Sequence, residues 1–128
     1  MTRPFVLIVD DDEVIRSLLR LTLPAEGYDV VEAEDGRHAL QLVEDQPPAL
    51  VVLDWRMPGR SGREVLAELK RVHPQTPVIV LTAEEPLRTE AEALALGADL
   101  FFAKPFSPLQ LLATVDRFLS ERPLDQRP

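Results

Sequence analysis

Unbroken apolar runs of four or five residues alternate in this chain with segments whose apolar positions recur at helical spacing. Phe5-Val6-Leu7-Ile8-Val9, Leu50-Val51-Val52-Leu53 and Val78-Ile79-Val80-Leu81 are continuous, as strands are when helices cover both faces of a parallel sheet. Strands are predicted over 4–10, 28–33, 50–54, 77–82 and 99–104. The second, from Tyr28 to Ala33, mixes in polar residues, which places it near an edge. Between strands, Val14, Ile15, Leu18, Leu19 and Thr22 share one face of a first helix, and Val65, Leu66, Leu69 and Val72 one face of a third. Ser61 and Glu64 have the spacing of a capping box, and Ser107-Pro108-Leu109-Gln110 offers a cap, an N1 proline and an N3 glutamine to a fifth. Gly27 and Gly97 stand where helices close in left-handed backbone. Pro24 should kink or shorten the end of the first helix, and Gln46-Pro47-Pro48 reads as a connector. Strand and helix in strict alternation predict an α/β domain with a parallel sheet.

What ends each strand turns this scaffold into a candidate site. Asp10-Asp11 follow the first strand, Asp54 the third, Thr82 the fourth and Lys104 the fifth. Charge at the end of a buried strand is costly unless it meets a metal, a partner or water. A doubly wound parallel sheet gathers such ends into one crevice, where ligands bind. The five βα units suit a flavodoxin-like sheet, whose strand order 2-1-3-4-5 is taken over from that fold type rather than read from the residues. In that order strands one and three are neighbours, so Asp10, Asp11 and Asp54 fall within several ångströms of one another. Each like-charge pair at 4 Å costs roughly 4 kcal/mol at an effective dielectric of about 20. A divalent cation resolves the conflict, and magnesium suits it because it takes oxygen ligands and keeps several waters; manganese can substitute. Asp54 then has the position of a nucleophile able to form an acyl phosphate, with Lys104 and the Thr82 hydroxyl supplying a second cation and a donor.

Composition narrows the alternatives. The 128 residues suit one domain, and 45% hydrophobic content is ordinary for a globular one. No apolar run reaches the roughly 20 residues of a membrane span, and Met1-Thr2-Arg3-Pro4 lacks the shape of a signal peptide. A cytoplasmic location and no membrane partner are therefore expected. The absence of cysteine excludes disulfides and thiolate metal sites, and the net charge of −8 argues against direct nucleic-acid binding. Asp12 is a candidate helix cap, and His38 and His73, without partners in view, read as solvent-exposed.

Val9-Asp10-Asp11, the stretch Leu53-Asp54-Trp55-Arg56-Met57-Pro58-Gly59-Arg60-Ser61-Gly62, Leu81-Thr82-Ala83 and Lys104-Pro105-Phe106, taken together, resemble the receiver domains of two-component response regulators, over residues 4–120. The resemblance implies a receiver domain over 1–120, with 121–128 a frayed tail or linker stub. It implies that Asp54 accepts phosphate from a sensor histidine kinase or a histidine phosphotransfer protein. Asp11 and Asp54 would ligate magnesium with the Arg56 main-chain carbonyl, Asp10 helping through water. Thr82 and Lys104 would hold the phosphoryl oxygens, Thr82 and Phe101 would act as the switch pair, and the Lys104–Pro105 peptide would be cis. Phosphorylation would bias the face built from helix four, strand five and helix five, and so change the binding of a downstream partner or a second copy. Such a protein is not an enzyme in the usual sense, although it assists its own phosphorylation and dephosphorylation.

Departures from the pattern matter too. Phe101 lacks the hydroxyl that tyrosine carries in many relatives, and the resemblance implies that Arg56 and Glu84, two residues past Asp54 and Thr82, would flank the path of an attacking water, where they could tune hydrolysis. DNA-binding relatives with a winged-helix output domain often carry two acids after Gly-Ala and an arginine in helix five, for salt-bridged dimers. Here Asp99 is kept, but Leu100 and Thr114 replace the others. Helix five instead carries Leu109, Leu111, Leu112, Val115, Phe118 and Leu119, more apolar surface than one buried stripe requires. Two other functions fit fewer residues: a receiver-shaped interaction module that is never phosphorylated, and a magnesium-dependent phosphohydrolase with an aspartyl-phosphate intermediate. The second resembles haloacid-dehalogenase-like enzymes through Asp10-Asp11-Asp12-Glu13-Val14 but leaves the Asp54 stretch unexplained.

Overall fold

Five short strands lie parallel in the order β2-β1-β3-β4-β5: β1 (Phe5–Val9), β2 (Asp29–Ala33), β3 (Leu50–Asp54), β4 (Val78–Thr82) and β5 (Leu100–Ala103). A computed structural model describes residues 4–23, 27–44, 46–57, 61–82 and 86–120, with the backbone alone at 86 and 87. The strands alternate with α1 (Glu13–Thr22), α2 (Gly36–Leu42), α3 (Gly62–Val72), α4 (Pro86–Ala95) and α5 (Pro108–Ser120). Both the doubly wound sheet and its strand order agree with expectation. The tail 121–128 lies outside the described residues.

The central strands β1, β3 and β4 are buried at every position, because a helical layer covers each face. On one face Leu7, Val51, Leu53 and Val80 meet α2, α3 and α4 through Ala39, Val65, Leu66, Leu69 and Ala93. On the other, Val6, Ile8, Val52, Ile79 and Leu81 meet α1 and α5 through Leu19, Leu111 and Val115. Each fully buried Leu, Ile or Val contributes roughly 1.5–3 kcal/mol of transfer free energy, so these two layers fix which strand ends stand side by side. As expected of an edge, β2 keeps Asp29 exposed and Val31 and Glu32 half-buried.

Local chemistry closes the helices. Asp12 caps α1 through Val14 N–H, Asp35 caps α2 through His38 N–H, and the Ser61–Glu64 capping box opens α3 in both directions. Ser107 Oγ accepts from Gln110 N–H at 3.2 Å at the start of α5. Gly97 has φ 106° just past α4, and Ala98 N–H closes back on the Ala93 carbonyl at 3.0 Å, the left-handed cap expected there. Gly27 also has positive φ, 85°, but α1 ends at Thr22 with Leu23 as its C-cap. Gly27 therefore does not close that helix, and the expected disturbance at Pro24 lies outside the described residues.

The inner face of α1 differs from the one predicted. Of Val14, Ile15, Leu18, Leu19 and Thr22, only Leu19 is buried, while Val14 is 73% and Leu18 38% exposed. The inward line runs through Ile15, Leu19 and Leu23. Arg16 and Arg20, one step round the helix, both reach Glu32 on β2, and these ion pairs turn the helix away from the Val14–Leu18 side. Helical periodicity allowed either rotation. On α5, Leu112, Phe118 and Leu119 pack against the core and only Leu109 stays largely exposed, at 76%. The apolar excess read from that helix is thus mostly covered within the fold.

Candidate functional site

The strand register brings the predicted chemistry to one place. Val9 pairs with Leu53 and Asp54 with Leu81, so Asp10, just past β1, and Asp54, the last residue of β3, stand level at adjacent strand ends. Carboxylate oxygens of Asp10, Asp11 and Asp54 all lie within 4.8 Å of one another. Lys104 Nζ, arriving from the end of β5, is 3.1 Å from Asp10 Oδ2 and 3.4 Å from Asp54 Oδ1. The Lys104–Pro105 peptide is cis, and Lys104 N–H donates to the Thr82 carbonyl at 2.8 Å.

Burial separates the three acids. Asp10 is 1% and Asp54 5% exposed, whereas Asp11 faces solvent. Burial above all, and then Asp10, push the Asp54 carboxyl up to about 7, against the opposing pull of Lys104 and of the Arg56 N–H. That N–H donates to Asp54 Oδ1 at 3.4 Å. Burial works against the charge of Lys104, yet Asp54 and Asp10 more than offset it and hold its ammonium above the ordinary range. The Lys104 ammonium is thus shared, among the described residues, between two buried acids. Among the described residues the cluster offers oxygen donors only, the set that hard divalent cations such as magnesium take.

Gly62 holds Asp54 in place by what it lacks. Its N–H donates to the Trp55 carbonyl at 3.0 Å, and a Cβ built there would sit 2.5 Å from the Asp54 carbonyl oxygen, 2.6 Å from Trp55 Cα and 2.7 Å from Trp55 O. All three are backbone atoms and cannot rotate away. Gly62→Ala is therefore expected to destabilise the protein by about 3 kcal/mol, the upper end of overpacking effects, in urea denaturation followed by Trp55 emission. A change under about 1 kcal/mol would show that this turn yields.

The other predicted residues are placed as follows. Thr82 ends β4 and is fully buried. Phe101 is half-buried against the α2–α3–α4 side of the core. The Arg56 side chain is exposed, and Glu84 lies outside the described residues, as do Pro58-Gly59-Arg60 and Ala83. His38 is exposed, but His73 is not the solvated residue expected: it is half-buried, with Nε2 2.8 Å from the Val43 carbonyl. A carbonyl only accepts, so Nε2 carries the proton. Asp99 is engaged within the fold: its Oδ2 accepts from Val78 N–H at 2.8 Å and from Lys70 Nζ at 3.3 Å. These contacts tie Asp99 to α3 and β4 of its own chain.

Sequence reasoning missed Arg16, whose Nη1 donates to the Asp10 carbonyl at 2.7 Å while Nε meets Glu32 Oε1 at 3.1 Å. No local pattern links a residue of α1 to one of β2. The only available signal was that Arg16 and Arg20, four apart, leave two cations on one helix side facing a strand that carries an acid.

The model of the response regulator receiver domain family matches residues 6–116. The phosphate regulon transcriptional regulatory protein PhoB of Pseudomonas aeruginosa is 39% identical over 116 residues, 89% of this chain and 51% of that protein. The chain thus spans about half the length of that relative. The receiver domain of Francisella response regulator 1452 superposes with a TM-score of 0.83 at 33% identity, covering 91% of this chain and 97% of that one. A CheY-like response regulator receiver domain protein from Methanospirillum hungatei gives 0.85 at 30% identity, over 94% and 96%. Chemotaxis protein CheY4 of Vibrio cholerae gives 0.82 at 34% identity, over 92% and 100%.

Proposed function

The chain belongs to the family of response regulator receiver domains, whose model matches most of its length, and we propose that it accepts a phosphoryl group on Asp54. The observation that carries this reading is the single cation shared by two buried acids, Lys104 Nζ at 3.1 Å from Asp10 and 3.4 Å from Asp54, with Asp11 beside them. A purely structural pair would need one acid, not three.

Asp11 and Asp54, with the Arg56 main-chain carbonyl, would hold magnesium or manganese. Asp10 acts through water, since its Oδ1 is taken by Asp12 N–H and its Oδ2 by Lys104. When bound, the ion neutralises the clustered carboxylates and the equatorial phosphoryl oxygens. An Asp54 carboxylate oxygen attacks phosphorus; the bond to the donor's histidine nitrogen breaks, and that nitrogen keeps the electron pair. Lys104 and the Thr82 hydroxyl then bind phosphoryl oxygens, which draws both side chains toward Asp54. The donor is a sensor histidine kinase or a histidine phosphotransfer protein, and the domain acts in the cytoplasm.

Phosphorylation brings about two negative charges, and Lys104 and Thr82 carry its pull to β5 and β4. Phe101, half-buried beside α4, is the aromatic that repacks, and the face of α4, β5 and α5 is the surface whose binding of a downstream partner or a second copy changes. Arg56, exposed two residues past Asp54, and Glu84, which lies outside the described residues, are the side chains that tune the rate of hydrolysis.

Incubation with magnesium and acetyl phosphate is expected to add about 80 Da of base-labile mass, the increment of one phosphoryl group. No adduct, together with no change in Trp55 emission on addition of beryllofluoride, would favour the unphosphorylated interaction module. Repeated turnover of simple phosphate esters would favour the hydrolase.

A further inference from the structure

Asp10 has four polar groups, and each has a partner. Its N–H donates to the Ala33 carbonyl at 3.2 Å. Its Oδ1 accepts from Asp12 N–H at 2.9 Å and its Oδ2 takes Lys104 Nζ at 3.1 Å. Its carbonyl accepts from Arg16 Nη1 at 2.7 Å. This last bond acts on the peptide that joins Asp10 to Asp11, and the plane of that peptide decides which way the Asp11 side chain leaves the loop. The Arg16 side chain is only 15% exposed, with its Nε fastened to Glu32 at 3.1 Å. Glu32 also binds Arg20, whose Nη2 donates to the Val30 carbonyl at 2.9 Å. The fork of Arg16 thus spans from β2 to the backbone between two acids of the site.

We propose that Arg16 is a positioning residue for the cation site, fixing the Asp10–Asp11 peptide so that the Asp11 carboxylate stays beside that of Asp54. The proposal rests on the reading of this cluster as a magnesium site. Partners behind the ligands commonly set metal affinity by about 10- to 100-fold. Here the sign of the effect separates two explanations. A guanidinium close to the site repels a divalent cation, so if Arg16 acted by charge alone its removal would tighten magnesium binding. If it acts by holding the peptide, its removal weakens binding.

The test titrates magnesium into the whole chain and follows emission of Trp55, the sole tryptophan and the neighbour of Asp54. Arg16→Met is expected to weaken binding by about tenfold or more. Arg20→Met also removes a Glu32 partner and loosens α1 against β2, but leaves the Asp10 carbonyl untouched; it is expected to bind magnesium within about twofold of wild type. Arg16→Lys, a milder change in case the methionine variant does not fold, has no fork to reach both Glu32 and Asp10 and is expected to weaken binding by roughly three- to tenfold. Unchanged or tighter binding by Arg16→Met and Arg16→Lys overturns the proposal, and so does an equal loss in Arg20→Met. If wild type itself binds no magnesium, the reading of the site fails; if it binds and the Arg16 variants match it, only the role of Arg16 fails.

Discussion

Asp54→Asn is expected to abolish phosphoryl uptake and, without metal, to make the protein more stable at pH 8. An amide oxygen cannot form the acyl phosphate, so no 80 Da adduct should appear, a loss far larger than any rate effect. The stability gain follows from the same burial that makes the site. The Asp54 carboxyl is raised from an ordinary 3.8 to about 7, so the folded protein holds this proton more tightly than the unfolded chain does. The associated stability is present in full below pH 3.8 and is lost as pH rises to about 7; above that the ionised group remains a burden. At ~1.4 kcal/mol per pH unit the raised pKa sets a ceiling of about 4 kcal/mol on the expected gain, with the attraction of Lys104 already included in that net shift. Urea denaturation in chelator should show the variant ahead of wild type at pH 8 and the gap closing toward pH 4. Magnesium should stabilise wild type and narrow the gap from the other side. Equal stabilities at pH 8 would mean that Asp54 is not under electrostatic load.

Where local chemistry decides, the sequence was readable. Continuous apolar runs located β1, β3 and β4 because both faces of a central parallel strand are buried. Ser61–Glu64, Ser107 and Asp12 cap the helices they precede, since a capping oxygen acts on an N–H two or three residues away. The strand-end residues Asp10, Asp54, Thr82 and Lys104 were legible as a set because a parallel sheet puts all carboxyl ends on one edge. What escaped was set by contacts between distant segments. The rotation of α1 depends on Glu32 of β2, the partner of His73 is a carbonyl of Val43 beyond another helix, and Arg16 reaches a backbone atom rather than a side chain. Asp99 shows the converse: a residue matched to a dimerising pattern is held by Lys70 and Val78 of its own chain. A pattern of residue types does not reveal which partner a charged group prefers when several lie within reach.

Lys104→Met should slow phosphorylation by about 10²–10³ while tightening magnesium binding, two effects of opposite sign from one lost charge. Methionine keeps much of the length and the apolar stem but leaves Asp10 and Asp54 with no ammonium between them. A cation entering the three-acid cluster then meets one more unit of net negative charge; at roughly 6 Å and an effective dielectric of about 20 this amounts to a few kcal/mol before screening, so a gain of about tenfold in affinity is a modest expectation. The chemical step moves the other way. On the proposed reading, charge on the transferring phosphoryl oxygens would lose a preorganised cation, and removal of one such donor commonly costs about 10²–10³ in rate. The ammonium of Lys104 is held above its ordinary range, so it stays charged through neutral pH and its loss cannot be mimicked by mild alkali. Adduct formation at saturating magnesium, timed by mass, measures the rate, and Trp55 emission measures the affinity. Wild-type rates in the variant, or weaker magnesium binding, would remove Lys104 from the phosphoryl site and leave it a structural counter-ion for Asp10.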